Sequence, residues 1–218
     1  MFVYLQYTAL LCALILYSSL RRRKMEVFFW ICLVSVVVET LSGLVIEKKW
    51  FAQNYFVINF YFLLTTPLFL YAFYQQLQMT PRQQRSYKSV SLLIMAGFLY
   101  NILLGEGFNN LNTLTIIMQQ FINVLLSCML LFNMAVRDDY FLLSREPMFW
   151  ISAGILIFSL GTLVSLGMSQ FIRMNQITIN NKNLYRITMP VLNIILYLSY
   201  TIGFILCTQK KKSYSPSL

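Results

Sequence analysis

The chain contains no histidine. That absence removes the commonest general acid–base residue, the commonest metal ligand and the usual switch near neutral pH. Acids are scarce as well: seven Asp and Glu stand against 17 Lys and Arg, and only 11% of the 218 residues are charged. Soluble domains run near a quarter charged, so this chain lacks the polar residues to cover a water-facing surface. The four cysteines, Cys12, Cys32, Cys128 and Cys207, lie singly within or at the ends of apolar runs. None has zinc-ligand or disulfide-framework spacing, and they read as free thiols acting as small apolar residues. Neither a metal site nor a cofactor is expected.

What the chain has in quantity is apolar length. Hydrophobic residues make up 58% of it and aromatics 16%, with a mean hydropathy of +0.65. The apolar runs have the length that spans a bilayer. They predict an all-α membrane protein, a single bundle of seven transmembrane helices over residues 1–218. The helices are placed at about 2–20, 27–46, 54–76, 88–104, 112–134, 148–170 and 184–207. The net charge of +10 is no nucleic-acid signal, because the basic residues fall in short clusters between apolar runs.

Those clusters set the orientation. With the N-terminus outside, the inner side carries Arg21, Arg22, Arg23, Lys24, Arg82, Arg85, Lys88, Arg137, Arg145 and Lys210 to Lys212, twelve in all. The outer side carries Lys48, Lys49, Arg173, Lys182 and Arg186, five. The bias predicts seven crossings and a cytoplasmic C-terminus.

Glu39 is the one acid deep inside an apolar run. An ionisable group at membrane depth is costly and usually has a partner or a task. Counting residues from the outer end of each run brings Asn59, Gln119, Gln120, Asn123, Thr162 and Asn193 toward the same outer half, with Arg186 above Asn193. Amides and hydroxyls avoid lipid, so these stripes are expected to face one another around an outward-facing polar pocket. Three readings of Glu39 stay open: structural glue with Arg186 or the glutamines, one wall of a ligand pocket, or a station on a proton or ion path. Pro67 marks a kink or hinge in the third helix. The Asp138–Asp139 pair, without a third ligand, reads as a solvated loop.

The sequence lacks a mid-helix lysine in its last span, as retinal binding requires, and has no Pro-Gln pair of the small sugar-porter type. The stretches Asn59-Phe60-Tyr61 with Pro67-Leu68-Phe69-Leu70-Tyr71, and Pro147-Met148-Phe149-Trp150-Ile151 with Gly154 and Gly161, resemble a group of bacterial seven-helix membrane proteins found beside, or fused to, sensor histidine kinases. The resemblance implies a multi-pass component of the bacterial cell membrane. It would be a non-enzymatic sensor of a small ligand or lipid, acting through a cytoplasmic signalling protein in trans. A small proton- or cation-coupled transporter or channel is the alternative. A membrane-embedded lipid enzyme ranks third, for want of a nucleophile–base pair. Besides the lipid bilayer and that signalling protein no partner is implied, nucleic acid is excluded, and oligomeric state is left open.

Overall fold

A computed structural model describes residues 2–47, 55–108, 110–136, 143–168, 178–179 and 182–209; of residues 2, 46, 47, 178, 179 and 182–186 only the backbone is described. Eight helices carry the described chain: α1 (Phe2–Ile15), α2 (Tyr17–Arg22), α3 (Glu26–Glu47), α4 (Tyr55–Gln76), α5 (Pro81–Tyr100), α6 (Thr113–Ala135), α7 (Pro147–Gly167) and α8 (Leu184–Leu206). A π-helical turn, Asn101–Gly105, extends α5, and a 3₁₀ turn, Leu143–Arg145, precedes α7. Before α8, Thr178–Ile179 pairs antiparallel with Lys182–Asn183.

Two element boundaries differ from the sequence expectation, and both have local causes. The expected first helix, 2–20, is interrupted at Leu16. Hydrogen bonds from Leu16 N to Cys12 O and from Leu20 N to Leu16 O, both 3.0 Å, carry the helix across the break. Phe2 to Arg22 therefore reach about 31 Å at ~1.5 Å per residue, enough for a hydrocarbon core of about 30 Å. The fourth expected helix, 88–104, begins earlier, at Pro81. Thr80 forms a capping box with Gln83: its Oγ1 accepts from Gln83 N at 3.4 Å, and Gln83 Oε1 accepts from Thr80 N at 2.8 Å. Proline at the first helical position suits this start, since its missing N–H would have had no partner there.

The helices form a closed ring. α1 packs on α3, α3 on α4, α4 on α6, α6 on α7, α7 on α8, and α8 returns to α1. The α7–α8 contact is the closest. A side chain at Gly154 would collide with Ser199, and one at Gly161 would meet Leu192 Cδ2 at 2.5 Å. Small residues at such a contact let the backbones approach where no hydrophobic effect drives helices together. The ring interior holds Phe28, Ile31, Phe73, Ile151, Tyr200 and Phe204, each 1% exposed or less.

α5 stands outside the ring, against α4. It is fastened near its two ends. Tyr87 Oη donates to Leu70 O at 2.7 Å, and Lys88 Nζ lies 5.3 Å from the Tyr74 ring centre. At the other end Asn101 Nδ2 donates to Thr115 Oγ1 at 3.0 Å. Between these points Leu92 and Leu93 are more than 70% exposed.

The outside of the ring is apolar as well. Ile15 is 77% exposed and Leu104 75%. Six helices are long and apolar enough to cross a membrane, with α1 as a shorter seventh apolar helix. Large apolar side chains facing outward over the whole bundle fit a lipid surround and not water.

Within α4, Pro67 leaves the Leu63 carbonyl without its usual partner. The neighbouring hydroxyls of Thr65 and Thr66 donate instead to Tyr61 O (2.8 Å) and Phe62 O (2.7 Å).

Candidate functional site

Alternating chain direction gives the bundle two ends. One carries Arg21–Lys24, the end of α4 and the start of α7, and is called the basic end here. The other carries the α5–α6 connection and is called the far end.

At the far end the amides close on the protein itself. Asn59 Nδ2 donates to Phe108 O (2.8 Å) and Asn110 O (2.7 Å), and Asn59 Oδ1 accepts from Asn112 N (3.3 Å). Asn59 is 1% exposed. One side chain on α4 thus saturates three backbone groups of the α5–α6 connection. About two turns lower, Thr66 Oγ1 donates to Gln119 Oε1 at 2.9 Å, and Gln119 Nε2 donates to Thr65 Oγ1 at 3.4 Å. Asn59 and Gln119 are therefore used in holding α4 to α6 and its connection.

Glu39 is not part of this network. It is exposed on α3, and no hydrogen bond or ion pair among the described residues engages it. Its carboxyl is within electrostatic range of Tyr61 and Tyr197. One turn away, Ser35 Oγ donates to Tyr61 Oη at 3.4 Å. Gln119 meets α4 one turn beyond Tyr61, so Glu39 lies about 12 Å nearer the far end than Gln119, at ~1.5 Å per residue. Equal counting from the outer helix ends fails here because α3 ends and α6 starts at different levels.

The other expected site residues scatter. Thr162 Oγ1 donates to Phe158 O and Asn193 Nδ2 to Met189 O, each within its own helix. Gln120 and Asn123 are buried on α6. Among the described residues Gln120 Oε1 has no partner, nor do Ser127, Ser152, Ser159 and Tyr200 Oη in the ring interior. The side chain of Arg186 lies outside the described residues, as do Asp138, Asp139 and Lys210 to Lys212.

The basic end is built differently. A cavity of about 700 Å³ opens there among α2, α4, α7 and α8. Its rim is charged: among the described residues Arg22, Arg23 and Lys24 line it with one acid, Glu146. Arg23 Nη2 donates to Gln209 O at 2.6 Å, and Arg23 Nη1 lies 4.0 Å from Glu146 Oε2. The second distance exceeds a hydrogen bond, so the pair attracts without closing. Arg22 Nη2 donates to Ser19 Oγ at 3.2 Å.

The local backbone explains how the arginines reach this rim. α2 ends in a Schellman turn, with Met25 N bonded to Leu20 O at 2.9 Å and Lys24 N to Arg21 O at 3.1 Å. Lys24 takes the left-handed position, φ 56°, where glycine is usual. A lysine there costs about 1 kcal/mol more than glycine. Gln76 Nε2 fixes the turn to α4 by donating to Arg23 O (3.2 Å) and Lys24 O (2.9 Å). Beneath the rim, Cys207 is buried against Met25, their sulfurs 3.6 Å apart. Burial pushes its thiol up to about 11, with Arg23 only partly opposing that. It is a thiol and no nucleophile near neutral pH.

The sequence reading missed this cavity. Its signal was present as polar residues at the ends of otherwise apolar runs: Gln75 and Gln76 closing α4, Gln78 just after it, and Glu146 before α7. Among the described residues no group of three His, Cys, Asp or Glu is placed to hold a metal ion.

Fold and surface together define a multi-pass integral membrane protein of the helical-bundle class. Comparison with protein-family models, with curated proteins and with solved structures gave no match.

Proposed function

We propose that this chain is a non-enzymatic sensing component of a bacterial cytoplasmic membrane, crossing it seven times with its N-terminus outside. It reads a small ligand or lipid and acts on a cytoplasmic signalling protein in trans. The observation that carries this reading is the cavity at the basic end. Its volume, about 700 Å³, falls within the range of small-molecule sites. In the orientation that the basic residues favour, it opens to the cytoplasm. Its wall joins α2, near the start of the chain, to Gln209 beyond α8 through the Arg23 bond. A ligand seated there would shift the relative position of the first and last helices, and a partner could read that shift.

A photoreactive residue at Gln78, exposed on the rim, tests the partner in living cells. The reading expects a covalent adduct to a protein with a histidine-kinase or receiver domain. Adducts to lipid alone would overturn it.

A second reading, proton or cation transport, draws on a different observation. Among the described residues Glu39 has no hydrogen bond or ion pair, and five buried polar atoms of the ring interior, on Gln120, Ser127, Ser152, Ser159 and Tyr200, have no partner. Such groups in a membrane interior mark ion pathways in transporters. Proteoliposomes loaded with a pH-sensitive dye decide it: transport requires a flux that Glu39→Gln abolishes, whereas the sensing reading expects none.

A further inference from the structure

We infer that the cavity at the basic end binds a phosphate ester that carries a free hydroxyl, supplied either by a lipid headgroup or by a soluble metabolite of that chemistry. The inference rests on the reading of this cavity as the ligand site and gives that ligand a chemical class.

Charge comes first. Among the described residues three cations and one carboxylate line the cavity, an excess of two positive charges. The excess suits a doubly or singly charged phosphate. Geometry comes second. Both arginines are already oriented, Arg22 by Ser19 and Arg23 by the Gln209 carbonyl. Each of those bonds uses one of the five N–H donors of a guanidinium, which leaves a fork free for the paired oxygens of a phosphate. Glu146, 4.0 Å from Arg23, is close enough to hold the fork and too far to occupy it.

The third observation concerns the neutral half of the ligand. Gln75 lines the same cavity; its Oε1 is turned into the protein, has no hydrogen-bond partner among the described residues, and would meet a ligand once the side chain rotates toward the cavity. A buried carbonyl oxygen needs a donor, and an ionised phosphodiester or a doubly ionised phosphate monoester has none to give. A hydroxyl on the ester supplies it. The amides of Gln76 and Gln78 lie on the same wall.

The fourth is Lys24, in the left-handed conformation at the mouth of the cavity. Glycine would relieve the backbone there and forfeit the ammonium group. A charged side chain kept at a strained position points to use of its charge. The simpler account of all three cations is topology: basic residues accumulate on the inner side of membrane proteins whatever they bind. That account predicts no dependence of ligand binding on Lys24 or Glu146, and the two residues should act with opposite sign if a phosphate is held.

The full chain in nanodiscs gives the test. In one arm the discs contain phosphatidylglycerol and phosphatidylcholine, and native mass spectrometry counts the phosphatidylglycerol that stays with the released protein. In the other the discs contain phosphatidylcholine alone, and added glycerol 3-phosphate is followed by phosphorus NMR line broadening. Retention in the first arm alone identifies a lipid headgroup; broadening in the second identifies a soluble ester. In whichever arm binds, Lys24→Gly should weaken binding about tenfold, the loss of one charge-assisted hydrogen bond. Glu146→Gln should tighten it. Lys24→Gly relaxes the backbone, so its loss of binding is separable from misfolding. Binding in neither arm, or binding that neither variant moves, overturns the inference. The photocrosslink to a signalling partner is an independent readout, so a failure here leaves that result standing.

Discussion

The two ends of the bundle are made from similar side chains put to opposite uses. At the far end, the Asn59 and Gln119 amides meet backbone groups and threonine hydroxyls at 2.7–3.4 Å, though Glu106 Oε2 and Gln120 Oε1 are buried there without a partner among the described residues. At the basic end, the cations Arg22 to Lys24 and the amides at the end of α4 stand around open space, with one ion pair, to Glu146 before α7, stretched to 4.0 Å. Polar groups in a bilayer are costly unless paired. A closed cluster is therefore what stability alone selects. A polar cluster left open where pairing was available marks a place kept for something else.

The largest effect expected from breaking this contrast is at the closed end. Asn59→Ala orphans two carbonyls and one N–H, and should lower unfolding stability by about 3 kcal/mol. Graded denaturation in mixed micelles measures it, with cleavage near Phe108 rising in parallel. A loss below the uncertainty of that assay would show the far end to be looser than its hydrogen bonds imply.

Lys24→Gly at the open end should act in the reverse direction, stabilising by about 1 kcal/mol through relief of the left-handed backbone. The same denaturation series reads it, and destabilisation would mean that the Lys24 side chain holds the fold. Gln119→Leu is smaller again, a loss of about 0.6 kcal/mol, because both threonine hydroxyls retain their bonds to Tyr61 and Phe62. The smallest response is expected from Cys207. With its thiol pushed up to about 11, maleimide labelling should be negligible at pH 7 and climb only as the pH approaches that value. Rapid labelling at pH 7 would mean that the floor of the cavity opens.

The contrast also separates what the sequence disclosed from what it hid. Apolar runs such as Val27–Ile46 and Tyr55–Gln76 are legible because lipid demands about 20 apolar residues in a row. The first two turns of α5 escaped, since Arg82, Gln83, Gln84 and Arg85 read as loop when polarity alone is weighed; the capping box Thr80–Gln83 was the better signal. The amides Asn59 and Gln119 are recognisable as polar residues that must face protein. Their partners are not, because counting depth from helix ends assumes level ends, and α3 and α6 are offset. The cavity was hidden most deeply. Arg23, Gln76, Glu146 and Gln209 are far apart in the chain, each ordinary for a helix end, and only the ring brings them together.

That ring has a seam. It closes where α8 meets α1, and the Arg23–Gln209 bond spans 186 positions of the chain. During synthesis the first helices enter the bilayer long before the last one exists, so one flank of α1 must wait beside lipid. The cavity gains its final wall only at that closing step. A chain cut short before α8 would present Arg23 with no carbonyl to bind, and the cell would meet a half-ring with its basic site unassembled. Completion of the protein and creation of its site are the same event.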